Sequence, residues 1–275
     1  IPGSLLAPGW SSNAVVAAAL SAKTNALNGN FKCMALVDIA ADETGATVYT
    51  DCKKAKATLG ATDIRTIVFW PKAVIGTKQY FMSTVCGALL AATDADHGDV
   101  PYDSPSNLSA KISGTVLANG TSVLLDQQQA NDILNAQGIV TAINSANGYV
   151  IWGNQTAAYP GTTDPKDYWI NCRRMFNWDA NNFILTYSQH VDRNYNRQLI
   201  RTIVDSRNMT GNGYVARGYL AAYKCVFLDS ENTETDIISG HLTTHTYISP
   251  YVPAQYIENI DEFDVDALNS ALKGE

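Results

Sequence analysis

The sequence predicts a mixed α/β fold, and three observations carry that prediction. Apolar runs of strand length, such as "CMALVDIA" and "DIRTIVFWP", alternate with Ala/Leu-rich stretches of helical length. Turn-forming pairs, among them Asn28-Gly29, His97-Gly98 and Asn147-Gly148, fall between those runs. Past Pro165 the texture changes: two long amphipathic segments come first, then three strand-like ones. With 275 residues, 46% of them hydrophobic and 16% charged, the chain can bury one large core or two modest ones.

Taken in order, Ser12-Asn13 can cap a helix in "AVVAAALSAKTNAL", and "CMALVDIA" after the Asn28-Gly29-Asn30 turn reads as a buried strand. "DIRTIVFWP" is a second strand. "QYFMSTVCGALLAATDA" reads as a long apolar helix ended by His97-Gly98, and "DQQQANDILNAQG" as a helix capped by Asp126 and closed by Gly138. "IVTAI" and "GYVIW" flank Asn147-Gly148, which suits a tight hairpin. Beyond the loop Pro160-Gly161-Thr162-Thr163-Asp164-Pro165, "KDYWINCRRMFNWDANNFILTYSQHV" and "RQLIRTIVDSRNM" read as long helices. "YLAAYKCVFLD", "HLTTHTYIS" and "AQYIENIDEF" then read as strands. A boundary is expected within that loop, giving an α/β unit followed by an α+β unit with long helices and a small sheet.

Charge and cysteine usage narrow the function classes. The formal net charge is −7, and basic residues cluster only at Lys53-Lys54 and Arg173-Arg174, which argues against a nucleic-acid surface. No run reaches the roughly eighteen apolar residues of a membrane span, and the start carries no basic n-region with a cleavage site. A soluble, unsecreted chain without membrane insertion is expected. Its start at Ile1 is read as that of a piece of a longer protein. Cys33, Cys52, Cys86, Cys172 and Cys225 are odd in number and include no CxxC, so buried free thiols in a reducing compartment are expected. The N-x-S/T sequons at Asn107, Asn119, Asn154 and Asn208 are read as chance matches.

Candidate chemistry is sparse. Asp38, His97 and Ser122 stand in the chain order of a subtilisin-type triad. Gly120-Thr121-Ser122, however, runs into the β-like "VLLD" rather than opening a buried helix, so no working triad is expected. His241 and His245 have an H-x3-H spacing, but on the strand their surroundings predict the rings would stand about 13 Å apart. "GNGYVARG", Gly211 to Gly218, lacks the Gly-Lys-Ser/Thr ending of a phosphate loop and reads as a turn. "SENTETD" and "ENIDEFDVD" lack the calcium-loop pattern and read as solvated acidic segments. No catalytic, metal or cofactor residue is assigned.

The strings that remain unexplained carry a resemblance. "PYDSPSN" (Pro101 to Asn107), "LLDQQQANDILNAQGIVTAIN" (Leu124 to Asn144), "WGNQTAAYPGTTDPKDYWINCRRMF" (Trp152 to Phe176) and "SPYVPAQYIENIDEFD" (Ser249 to Asp264) together resemble contractile phage tail sheath proteins. The likeness runs from "PGWSSNAVVAAAL" and "ALVDI" to the C-terminus. Two positions depart from the family: Gln155, where it tends to have Arg, and Tyr195, near which it often has Pro.

The resemblance implies a subtilisin-like α/β sheath domain without protease activity at residues 1–162 and a C-terminal, assembly-forming inner domain at 163–275, with the family's N-terminal arm absent. It implies a structural subunit, not an enzyme, with no cofactor, which stacks as hexameric rings into a helical sheath around an inner tail tube. That sheath would contract to drive the tube through a cell envelope. Implied partners are other copies, the inner tail tube protein, the baseplate and the tail terminator; the implied place is a virion tail or related particle assembled in the bacterial host cytoplasm. The alternatives are a degenerate or active subtilisin-like hydrolase and a static tube or baseplate protein. An open helix needs head-to-tail contacts. Candidate interface residues are therefore Arg173 and Arg174, for pairing with an acidic group, and Tyr251, Tyr256, Ile257, Ile260 and Phe263 in a C-terminal segment able to join an intersubunit sheet.

Overall fold

A computed structural model describes residues 3–146, 148–194 and 196–274. Its centre is a five-stranded sheet of order β1-β2-β3-β7-β8, made of β1 (Ser4–Leu6), β2 (Met34–Asp38), β3 (Thr66–Phe69), β7 (Ile139–Ser145) and β8 (Gly148–Trp152). The first four strands are parallel, and β8 returns antiparallel to β7. Burial on both faces explains why "MALVD" and "TIVF" are continuous apolar runs rather than alternating ones. Ala35, Val37, Val68 and Ile139 face α1 (Ala14–Lys23) and α2 (Cys52–Leu59), while Met34, Leu36, Ile67, Phe69 and Val140 face α3 (Met82–Asp96). Three layers result. The predicted tight turn between β7 and β8 falls on Asn147, outside the described residues.

Asn13 caps α1 by accepting from the Val15 N–H, as its position before the Ala-rich run requires. The predicted long helix starts later than its sequence suggests. Lys78–Phe81 forms β5, hairpinned to β4 (Lys72–Ile75), and β6 (Gly114–Val116) completes a small sheet of order β5-β4-β6. The "DQQQANDILNAQG" helix is also less regular than expected. Asp126 and Gln129 form a capping box on α4 (Gln127–Gln129), but Ala130–Leu134 widens to a π turn and Asn135–Gln137 tightens to a 3-10 turn.

Past α5 (Pro165–Tyr168) come α6 (Ile170–Tyr187) and α7 (Arg197–Ala216), on which β9 (Leu220–Val226) and β10 (His245–Pro250) pack as an antiparallel pair. Between those strands lies α8 (Glu234–Ile238), and α9 (Val265–Lys273) lies near the C-terminus. Two expectations fail here. "GNGYVARG" is no turn until Arg217, because α7 runs through Gly211 and Gly213. "AQYIENIDEF" forms no strand, since no edge among the described residues pairs with it. The acidic segments contribute α8 and the start of α9, both capped by side chains (Thr233 and Asp264) that the sequence reading passed over. All five cysteines are free and buried.

Candidate functional site

The triad-like residues are held apart. Asp38 ends β2 in a buried niche, accepting from the Ser83 N–H at 2.9 Å, from the Ser83 hydroxyl, and from Ser11 Oγ at 3.3 Å. Burial pushes its carboxyl up to about 6. Ser83 lies in the first turn of α3, whereas His97 follows its last residue, so Asp38 and His97 stand about 20 Å apart along the helix. His97 Nδ1 lies 3.6 Å from Asp103 instead. Ser122 is bridged to Val116 beside the small sheet. His245 sits 2.7 Å from Glu231, and His241 lies 3.9 Å from Asp236.

The dense stretch from Trp152 to Phe176 is a clasp between the central sheet and α6. Thr156 donates from N–H to the Tyr168 carbonyl at 2.8 Å and from Oγ1 to the Asp167 carbonyl at 2.8 Å. Ala157 N–H donates to the Thr66 carbonyl, and Asn154 Nδ2 to Asn171 Oδ1 at 3.2 Å. Gly153 is required: φ is +125°, and a Cβ would fall 2.6 Å from Asn135 Oδ1. Lys56 Nζ donates to the carbonyls of Gln137, Ala157 and Tyr159, and burial lowers its ammonium to about 8. Gln155, the position of the family's Arg, is buried and bridges Trp169 by its backbone.

Arg173 and Arg174 belong to this clasp. Arg173 Nη1 donates to Asp167 Oδ1 at 2.8 Å, and Arg174 donates to Asp94, tying α6 to α3. They are only 7% and 6% exposed. Both guanidiniums are therefore engaged inside the chain. Sequence reading missed a third buried pair, Arg207 with Asp179, in which both guanidinium nitrogens reach the carboxylate at 3.1 and 2.8 Å. Tyr223 adds its hydroxyl to Asp179 at 3.2 Å, so α6, α7 and β9 share one polar centre. No local signal in the sequence joins residues 179, 207 and 223.

The C-terminal candidates lie elsewhere. After β10 the chain leaves the body, held by Asn171 Nδ2 donating to the Tyr251 carbonyl at 3.0 Å. Tyr251 is 55% exposed, and Tyr256, Ile257, Ile260 and Phe263 are 81, 87, 80 and 77% exposed. Val265, Leu268 and Leu272 continue the exposed row on one side of α9. The arm thus leaves a row of large apolar side chains open to water. Beside its root, the β9–β10 pair carries no third strand among the described residues. The β9 edge is met at Cys225 by the side chain of Asn208, one of the sequon asparagines.

No protein-family model matches the chain. Over 165 residues it is 32% identical to the tail sheath protein of Burkholderia phage BcepMu, a match covering 58% of this chain and 33% of that protein. The chain thus spans about one third of the length of this curated relative. Among solved structures, its fold matches the contracted sheath complex of PVC, an extracellular contractile injection system. The TM-score is 0.78 at 18% identity, over 97% of this chain and 72% of that one. The contracted helical sheath of the anti-feeding prophage matches with TM-score 0.70 at 19% identity, over 92% and 66% of the two chains. A chain in the six-fold symmetrised baseplate of the same prophage matches at 0.71, with 16% identity over 89% and 64%. The chain is thus similar in sequence to a tail sheath protein over 58% of its length, and it shares the fold of contractile sheath chains.

Proposed function

We propose that the protein containing this chain is a structural subunit of a contractile tail sheath, which assembles with other copies into stacked, hexameric rings around an inner tail tube. The observation that carries the reading is the exposed apolar arm from Tyr251 to Phe263 beside an unfilled two-stranded sheet. An arm that cannot pair within its own chain can add as a strand to the sheet of a neighbour. Main-chain hydrogen bonds then link subunits in a head-to-tail series that does not close on itself. Such links survive rigid-body rotation of the bodies they join.

In this reading residues 1–162 form the subtilisin-like sheath domain and residues 163–275 the inner domain that bears the arm. Contraction draws on free energy stored in an extended, kinetically trapped lattice, whose subunits repack with more buried contact. The subunit is catalytically inert and works in the tail of a virion or related particle, assembled in the host cytoplasm, with the tube, baseplate and tail terminator as neighbours. Arg173 and Arg174 act from inside, by holding α6 in place for these contacts. A second reading, a static baseplate component, draws on the fold match to a baseplate chain.

Truncation of the full-length protein at Pro250 tests the proposal. The expected outcome is a soluble subunit with near-native circular dichroism that forms no tubes by negative-stain microscopy. Normal tubes would remove the arm from the linkage, and wholesale unfolding would make it part of its own subunit's core. Wild-type protein that forms only closed rings would favour the baseplate reading. Labelling of Ser122 by a fluorophosphonate would restore the hydrolase.

A further inference from the structure

Lys56 is the one lysine buried among the described residues, at 8% exposure. A buried charge is costly unless a neighbour balances it, and the usual neighbour is a carboxylate. Among the described residues no carboxylate pairs with Lys56. Backbone takes that part instead. From α2 the ammonium donates to the carbonyls of Gln137, Ala157 and Tyr159, the last two at 2.7 and 3.1 Å. Burial lowers it only to about 8, so it still carries its proton at pH 7.

The three carbonyls come from two segments, the end of the 3-10 turn and the clasp loop, and none of them accepts a backbone hydrogen bond among the described residues. Bonds that do not involve Lys56 hold them in place. Thr156 is fixed to Asp167 and Tyr168, and the Ala157 N–H to the Thr66 carbonyl, which aims the Ala157 and Tyr159 carbonyls at one point. Gly138 lets the two segments close on that point. Its φ is +63°, and a Cβ there would fall 3.0 Å from the Tyr159 oxygen, 3.3 Å from Lys56 Nζ and closer still to the Thr156 oxygen. Three acceptors at hydrogen-bond distance match the three N–H donors of a primary ammonium. With no carboxylate in the set, the site lacks what a divalent ion needs.

We infer that the Gln137, Ala157 and Tyr159 carbonyls form a binding site for a primary ammonium group, which the chain fills with its own Lys56 and which takes a free alkylammonium ion once that side chain is cut back. The inference goes beyond the sheath reading and does not rest on it. Filled, the site ties α2 to the 3-10 turn and to the clasp loop, next to the Pro160–Pro165 stretch at which the two proposed domains meet. Emptied, it leaves three inward acceptors without a donor.

Thermal unfolding of the full-length protein and its Lys56 variants at pH 7 tests this. Lys56→Ala should lower the melting temperature by several degrees, because the carbonyls lose their donors. n-Propylammonium chloride supplies the atoms that were removed and should recover most of that loss along a saturating dose curve. Tetramethylammonium chloride at equal ionic strength has the charge but no N–H, and should not. Lys56→Met fills the space without a donor; it should be destabilised and should not respond to propylammonium. Wild type, its site already filled, should not respond either. If the alanine variant does not fold alone, it is refolded in each salt, and recovery in propylammonium only would support the site. Recovery in neither salt, equal recovery in both, or an equal response from wild type or Lys56→Met would overturn it.

Discussion

Asp38 shows what one buried carboxylate does when no histidine completes it. It is 3% exposed, and its three hydrogen bonds come from Ser11 and Ser83. Those bonds lower its affinity for a proton, but burial outweighs them and raises the carboxyl to about 6. The folded state thus holds the proton more tightly than the unfolded chain, whose aspartates titrate near 4. The stability contributed by this proton is fully present below about pH 4 and is lost as pH rises toward 6. The span corresponds to about 3 kcal/mol at most. Asp38→Asn should remove this pH dependence and leave the protein as stable as wild type, or more so, at pH 7, as read by urea denaturation at several pH values. An unchanged pH profile would assign the titration to another group. The sequence placed Asp38 within a buried strand, and the strand ends at it. It could not supply Ser83 as its partner, because that contact spans a helix start that sequence reading placed several residues too early.

At the scale of elements, α7 carries the clearest lesson. Its "GNGYVARG" end has the composition of a turn, yet the helix runs on to Ala216, because tertiary packing overrides propensity. Gly211 is buried against β9, where a Cβ would fall 1.9 Å from Tyr223 Cδ1, whereas a Cβ on Gly213 meets only an Arg217 nitrogen at 3.9 Å. The two glycines should answer alanine oppositely. Gly213→Ala should stabilise by up to about 1 kcal/mol through helix propensity. Gly211→Ala should destabilise by about 1–3 kcal/mol through overpacking against the ring that also holds Asp179. Equal responses in chemical denaturation would mean that Tyr223 moves aside freely. The same logic separates what was legible from what was not. β2, β3, β7, β8, α1 and α6 were readable because their apolar pattern is set by one face or two of a local core. The small β4–β6 sheet, the paired Asn208–Cys225 hydrogen bonds and the Arg207–Asp179–Tyr223 centre were not, since each depends on partners distant in the chain. "AQYIENIDEF" has the pattern of a strand but no partner among the described residues of its own chain, so the pattern alone does not make it one.

For the whole molecule, charge and linkage pull in opposite directions. The chain bears 26 acidic against 19 basic residues, and Glu258, Asp261, Glu262 and Asp264 add acid to the arm itself. Bringing like-charged copies together is opposed by a repulsion whose range is the Debye length, about 30 Å at 0.01 M salt and 8 Å at 0.15 M. Main-chain hydrogen bonds in an added strand and apolar contacts of Tyr256, Ile257, Ile260 and Phe263 carry no net charge, so salt does not screen them. The buried pairs Arg173–Asp167, Arg174–Asp94 and Arg207–Asp179 lie inside one chain and are largely shielded from salt. Tube formation by the full-length protein should therefore accelerate as ionic strength rises from about 0.01 to 0.15 M, and formed tubes should persist to about 1 M. Light scattering for the rate and sedimentation for the tubes give the two readings. Assembly that slows with salt, or tubes that dissolve in it, would show that intersubunit ion pairs hold the lattice and that strand addition is secondary. If salt speeds assembly while truncation at Pro250 still blocks it, the neutral arm is the link, and the acidic surface serves only to keep free subunits apart until they are brought together.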